Sequence, residues 1–141
     1  DEALMTALTN AALSGVEVEL FVSEQFDQFL VGHAQRSYYG PLLKAGVRIH
    51  LYRKPRMLHS KYMVVDGSLC MIGSSNMDVR SFGLNYEIVL VADNQRLVEM
   101  LHGNDDRTRE KSRELTYEEW RALPWHVHYV DNVCRLGSSL L

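Results

Sequence analysis

His59 and Lys61 stand two residues apart in "HSKYMVVDGSLCMIGSSNMDVRSFGLNYE" (59–87), ahead of an Asp66-Gly67 pair, with Gly73, Ser74 and Asn76 following in close order. On a strand, alternate residues face the same way, so His59 and Lys61 are expected to project together. An imidazole can attack phosphorus or protonate a leaving oxygen, and an ammonium beside it neutralises charge on phosphoryl oxygens. Asp66 has the opposite parity and falls at a turn, which suits fixing the hairpin or contacting neighbours better than touching substrate. The missing side chain of Gly73 allows close backbone approach, and Ser74 and Asn76 can donate to phosphate oxygens. Glu87 is placed to hold a histidine ring nitrogen and fix its tautomer. With no metal-ligand cluster in the sequence, Lys61, Asn76 and His59 carry the charge stabilisation in this reading.

These residues need elements to hold them. The Asp66-Gly67 pair between two β-branched or apolar runs is a short hairpin signal. Upstream, residues 1–15 repeat Leu4, Leu8, Ala11 and Ala12 at helical spacing behind a capping Asp1 and before Gly15. A strand over 16–23, a helix or helix pair over 29–46 interrupted near Gly40-Pro41, and a strand over 47–53 follow. "YEIVLVA" (86–92) reads as an apolar central strand, and residues 94–112 as a long helix through Gly103 and Asn104. Thr116 with Glu119 forms a capping box opening a short helix. A last helix after Pro124 carries Trp125, Tyr129, Val133 and Leu136 on one side. The expected fold is therefore α/β, a layered domain with a mixed central sheet flanked by helices.

At 141 residues the chain is one domain's length. Its net charge of -3 argues against a sequence-independent nucleic-acid binder, so no nucleic-acid partner is expected. One basic cluster, Arg53, Lys54, Arg56 and Lys61, surrounds His59 where an anion would sit. Cys70 and Cys134 are too few for a disulfide framework and lack metal-site spacing. Neither a signal peptide nor an apolar run of membrane-spanning length is present. The abrupt "DEALMTALTNAALSG" start has the look of a piece of a longer protein.

The run matches H-x-K-x4-D-x6-G-S-x-N and so resembles the phospholipase D superfamily, with His59, Lys61, Asp66, Gly73, Ser74 and Asn76 in place. "NMDVRSFGLNYE", and "SREL" followed by "EEW", narrow the resemblance to bacterial-type cardiolipin synthases over nearly the whole chain. It implies one half of a two-lobed enzyme in which two such motifs meet at one site, with chemistry through a phosphohistidine. Residues 1–112 would be the catalytic domain of the C-terminal half, and 113–141 a helical extension packed on it. The implied catalytic set is His59, Lys61 and Asp66, with Ser74, Asn76 and Glu87 binding or orienting the phosphate and Arg80 a candidate head-group contact. The implied reaction joins two phosphatidylglycerols into cardiolipin and glycerol without metal or organic cofactor. Its partners would be phosphatidylglycerol, the anionic membrane surface and the N-terminal half or a second copy, at the bacterial inner membrane through a preceding part. Two alternatives stay open: a homodimeric phosphodiesterase or endonuclease, and an inactive anionic-lipid-binding half-domain.

Other features read as structural. His126 and His128 diverge by about 200° on a helix, which is unsuitable for one metal. His33, His50 and His102 have no partner pattern. Tyr38 and Tyr39 read as packing helix onto sheet, and Trp120 and Trp125 suit either a core or a lipid interface. Asp78 and Arg80 read as an ion pair bracing the loop, with a head-group role for Arg80 as the alternative.

Overall fold

The structure is a computed structural model that describes residues 2–26 and 28–137. Asp1, expected to cap the first helix, lies outside the described residues, as do the last four of the tail.

Helix α1 (Glu2–Leu13) ends before Gly15, whose φ of 90° is the left-handed geometry that glycine adopts without strain. Strand β1 (Glu19–Ser23) follows. The helical stretch after it breaks into α2 (Phe29–Ser37) and α3 (Tyr39–Ala45). The break falls at Tyr38 rather than at Gly40-Pro41, because Pro41 in the first turn of α3 sacrifices no helical donor. Strand β2 (Arg48–Tyr52) pairs parallel to β1, with Leu20 opposite Ile49 and Val22 opposite Leu51.

The hairpin consists of β3 (Tyr62–Val65) and β4 (Leu69–Gly73). Both turn residues have positive φ, 51° at Asp66 and 68° at Gly67, the pattern of a type I′ turn whose twist matches the strands. Short helix α4 (Val79–Gly83) leads to β5 (Val89–Asp93), which pairs antiparallel with β4. Helix α5 (Gln95–Glu110) starts on Asn94, whose side chain accepts from Leu97 N at 3.0 Å, and runs unbroken through Gly103. Strand β6 (Ser112–Leu115) was not anticipated from the sequence and pairs antiparallel with β2. Helix α6 (Tyr117–Arg121) carries the expected cap, Thr116 Oγ1 accepting from Glu119 N at 3.1 Å, and α7 (Trp125–Leu136) closes the described chain.

The strands form two three-stranded sheets rather than one: β1-β2-β6, of mixed direction, and β3-β4-β5, antiparallel. The core lies on the first. Tyr39, Leu42, Val47, Ile49, Leu51 and Leu115 are buried together, with Met5, Leu8, Leu20, Val22 and Trp120 packed against them. Tyr39 is thus the packing residue that its position suggested.

One strand is placed differently from expectation. Strand β5 is an edge strand, not a central one: Val89, Leu90 and Val91 are all exposed, as are Leu84, Tyr86 and Ile88 before it. The apolar side of α7 also faces outward, with Trp125, Tyr129, Val133 and Leu136 exposed. Its inward residues are Asp131 and Cys134, and Asp131 binds α2 through Arg36 and His33.

Candidate active site

His59 and Lys61 precede β3 instead of lying on it, yet both are tightly placed. On one side, Ser23 at the end of β1 holds the backbone of Leu58: its Oγ accepts from Leu58 N at 2.8 Å and lies 3.3 Å from Leu58 O as donor. On the other, Lys61 O accepts from Gly73 N at 3.1 Å, which extends the hairpin pairing by one step. Next to Lys61, the Tyr62 hydroxyl donates to Asp105 of α5 at 2.5 Å and accepts from Asn104 Nδ2 at 2.8 Å. Burial, reinforced by the Asp105 bond, pushes the Tyr62 hydroxyl up to about 12, so it stays a donor at neutral pH. Asn104, in the middle of α5, is thus part of this anchor.

Lys61 Nζ lies 3.3 Å from Nδ1 and 3.2 Å from Nε2 of His59. The in-plane lone pairs of the two nitrogens diverge, so an ammonium equidistant from both approaches the ring's face. Both ring nitrogens therefore keep their in-plane directions open toward a ligand. Among the described residues no carboxylate pairs with His59.

Gly73 explains itself structurally. A Cβ there would sit 2.3 Å from the Ile88 carbonyl oxygen, because β4 and β5 close on each other where Ser74 N donates to Ile88 O at 3.0 Å. Ser74 Oγ donates a very short hydrogen bond to Glu87 Oε2 and accepts from Ile88 N at 3.1 Å. Asn85 Nδ2 lies 3.5 Å from the other Glu87 oxygen. The Ser74 bond holds the Glu87 carboxyl below the usual carboxylate range. Glu87 is thus gathered with Ser74 and Asn85, not with His59, and the Ser74 proton is already engaged.

Asn76 is fixed through its backbone, N donating to Ser81 Oγ at 3.1 Å, which leaves its exposed carboxamide available. Asp78 caps α4 by accepting from Ser81 N at 2.7 Å. Among the described residues Asp78 and Arg80 form no ion pair, so the brace is this cap and the Ser81 hydroxyl, while Arg80 is exposed. Asp66 is exposed in the turn. Arg53, Lys54 and Arg56 are exposed just upstream of His59.

The remaining histidines sit elsewhere. His50 is buried against Phe21 at 4.8 Å, and His102 lies 3.4 Å from Asp105. The His59 imidazole and the Lys61 ammonium lie side by side, with exposed cations a few residues upstream, a pairing that suits transfer at a phosphoryl group.

Residues 1–106 match the family described as "Cardiolipin synthase, PLD-like domain". The chain belongs to this family. The cardiolipin synthase of Halalkalibacterium halodurans is 38% identical over 141 residues, all of this chain and 28% of that protein. Cardiolipin synthase A of Proteus mirabilis is 36% identical over 138 residues, 98% of this chain and 28% of the relative. The chain therefore spans little more than a quarter of these relatives. The fold also matches the crystal structure of a phospholipase D family member, Nuc from Salmonella typhimurium, with a TM-score of 0.68 and 21% identity. That match covers 80% of this chain and 73% of the other. Membership in the cardiolipin synthase family and the phospholipase D fold agree with the H-x-K motif and the extension that follows it. No helix among the described residues is long and apolar enough to cross a membrane.

Proposed function

We propose that this chain is the C-terminal catalytic half of a cardiolipin synthase, a phosphatidyltransferase that joins two phosphatidylglycerols and releases glycerol. The observation that carries the reading is the His59–Lys61 pair, an imidazole open at both ring nitrogens with an ammonium at its face. A histidine of the other half attacks phosphorus, the phosphorus–oxygen bond to glycerol breaks, and His59 delivers the proton to the departing oxygen. The hydroxyl of a second phosphatidylglycerol then gives its proton to His59 as it attacks the phosphohistidine, and the first histidine is released. Lys61 and Asn76 face the phosphoryl oxygens, and Arg80 meets the lipid head group.

Glu87 orients the partner half's histidine in this scheme, since its carboxylate is held by Ser74 and bonds no atom of His59 among the described residues. Ser74 then serves as a positioning residue rather than a phosphate donor. The exposed apolar residues Leu84, Tyr86, Ile88 and Leu90 lie next to Glu87 and support docking of the N-terminal half of the polypeptide over this edge. Attachment to the inner membrane would come from that other part. Phosphodiester energy is conserved in the adduct, so this route requires neither nucleotide nor metal.

Labelled phosphatidylglycerol vesicles test the reading. This chain joined to the N-terminal half should yield cardiolipin and glycerol, and the isolated chain neither. Phosphatidic acid as the main product of the joined form would mean that water is the acceptor and the synthase reading is wrong.

A further inference from the structure

The C-terminal helices enclose a second feature that the motif does not use. A cavity of about 420 Å³, within the roughly 300–1,000 Å³ range of small-molecule sites, opens between α3, α6 and α7. Its lining includes Trp120 and Arg121 from α6, and His128, Asp131, Asn132 and Arg135 from α7. No lining residue comes from the β3–β4 hairpin or β5.

Arg121 and Arg135 bring two cations to this cavity, and His128 and Asn132 add neutral polar groups. Trp120 Nε1 is buried without a hydrogen-bond partner among the described residues and out of reach of a water-sized group, so the indole borders the cavity through its other ring atoms. His128 packs its ring against Trp120, 4.6 Å between centroids. Arg135 stacks on Tyr38 at 4.6 Å and, among the described residues, has one ion-pair contact, with the exposed Glu2 at 3.7 Å. Arg121 is exposed with no charged partner among the described residues.

The one acid in the lining is already spent. Asp131 is 1% exposed, and its carboxylate takes Arg36 Nε and Nη2 at 2.8 Å each and His33 Nδ1 at 2.6 Å. It therefore adds little negative field to the cavity and instead fixes α7 against α2.

We propose that this cavity binds a phosphate ester, with Arg121 and Arg135 donating to its oxygens. Donors arriving from two helices suit a tetrahedral oxyanion, which presents acceptors on several sides, better than a planar carboxylate. The volume exceeds the need of the phosphate group alone and leaves space for the organic part. The same chemistry occurs in a lipid head group and in a soluble ester.

The test uses the chain carrying His59→Gln and Lys61→Gln, which weakens the motif as a competing phosphate site, and Trp125→Phe, which leaves Trp120 as the sole indole. Emission is titrated with glycerol 3-phosphate and, separately, with phosphatidylglycerol in phosphatidylcholine vesicles against phosphatidylcholine alone. A saturable change is expected, weakened at least about ten-fold, or about 1.4 kcal/mol, by Arg121→Gln with Arg135→Gln. Saturation by glycerol 3-phosphate identifies a soluble ester site, and saturation by phosphatidylglycerol vesicles only identifies a head-group site. Arg121→Gln alone, at an exposed position, should weaken binding several-fold with unchanged circular dichroism, which separates binding from folding. No saturable change with either probe, or equal affinity in the Arg121 variants, overturns the proposal.

Discussion

At the scale of single residues, the site depends on one glycine and one hydroxyl. Gly73 has no space for a methyl group because the obstacle is backbone, the Ile88 carbonyl, which cannot rotate away. Gly73→Ala should destabilise the fold by about 3 kcal/mol, read from urea unfolding, since β4 and β5 must separate to admit the side chain. Ser74 acts through Glu87. Its hydrogen bond lowers the Glu87 carboxyl, so Ser74→Ala should let that carboxyl titrate at higher pH. In the joined enzyme the acid limb of the rate profile should shift upward in pH, while a purely structural loss would lower the rate at every pH alike. The motif itself was legible because its residues are local in sequence. The Glu87–Ser74 bond was less so, because it depends on how tightly two strands close.

At the scale of elements, the ends of two helices and the hairpin could be read from short-range chemistry: Asp66-Gly67 in the turn, Thr116 as the cap of α6, Gly15 with its left-handed φ after α1. Strand β6 was hidden, since "SREL" is four residues long and half charged. It forms because β2 offers an edge and because its Arg113 and Glu114 find partners across the sheet. Arg113 donates to Glu24 at 2.8 Å and Glu119 at 2.6 Å, and Arg48 bridges Glu114 and Glu19. The Arg113 bond holds the Glu24 carboxyl below its ordinary value, and the Arg48 bond does so for Glu114. At Glu19 burial pushes upward, but Arg109 outweighs it and the carboxyl is again lowered. Lowered carboxyls bind fewer protons folded than unfolded in the acid range. Their contribution is complete above about pH 5 and lost as pH falls through the folded values. Thermal melts should therefore show a decline between pH 5 and pH 3 that shrinks in Arg113→Gln, even though each exposed pair contributes little by itself.

At the scale of the whole molecule, the apolar surface is divided between a core and an uncovered edge. The sequence pattern of "YEIVLVA" marks residues that avoid water, but composition alone does not separate burial within a chain from burial against another. That is why β5 was expected at the centre and is found at the margin. Likewise the Arg36–Asp131–His33 junction joins positions nearly a hundred residues apart, and no local spacing announces it. Ile88 is 82% exposed and Leu84 73%, so neither supports the core of this chain. Ile88→Asp should leave its unfolding midpoint within about 0.5 kcal/mol of the parent, while sharply weakening association with the N-terminal half. Calorimetric titration of one half with the other reads that difference, and unchanged affinity would place the docking surface elsewhere.

The central claim is that His59 transfers protons at phosphorus. The most direct test is turnover of labelled phosphatidylglycerol by the joined protein carrying His59→Gln, with vesicle binding measured on the same sample. Cardiolipin formation should fall by at least about a thousand-fold, or about 4 kcal/mol of barrier, with vesicle binding retained. Turnover within about ten-fold of the parent would contradict that claim and remove His59 from the chemistry.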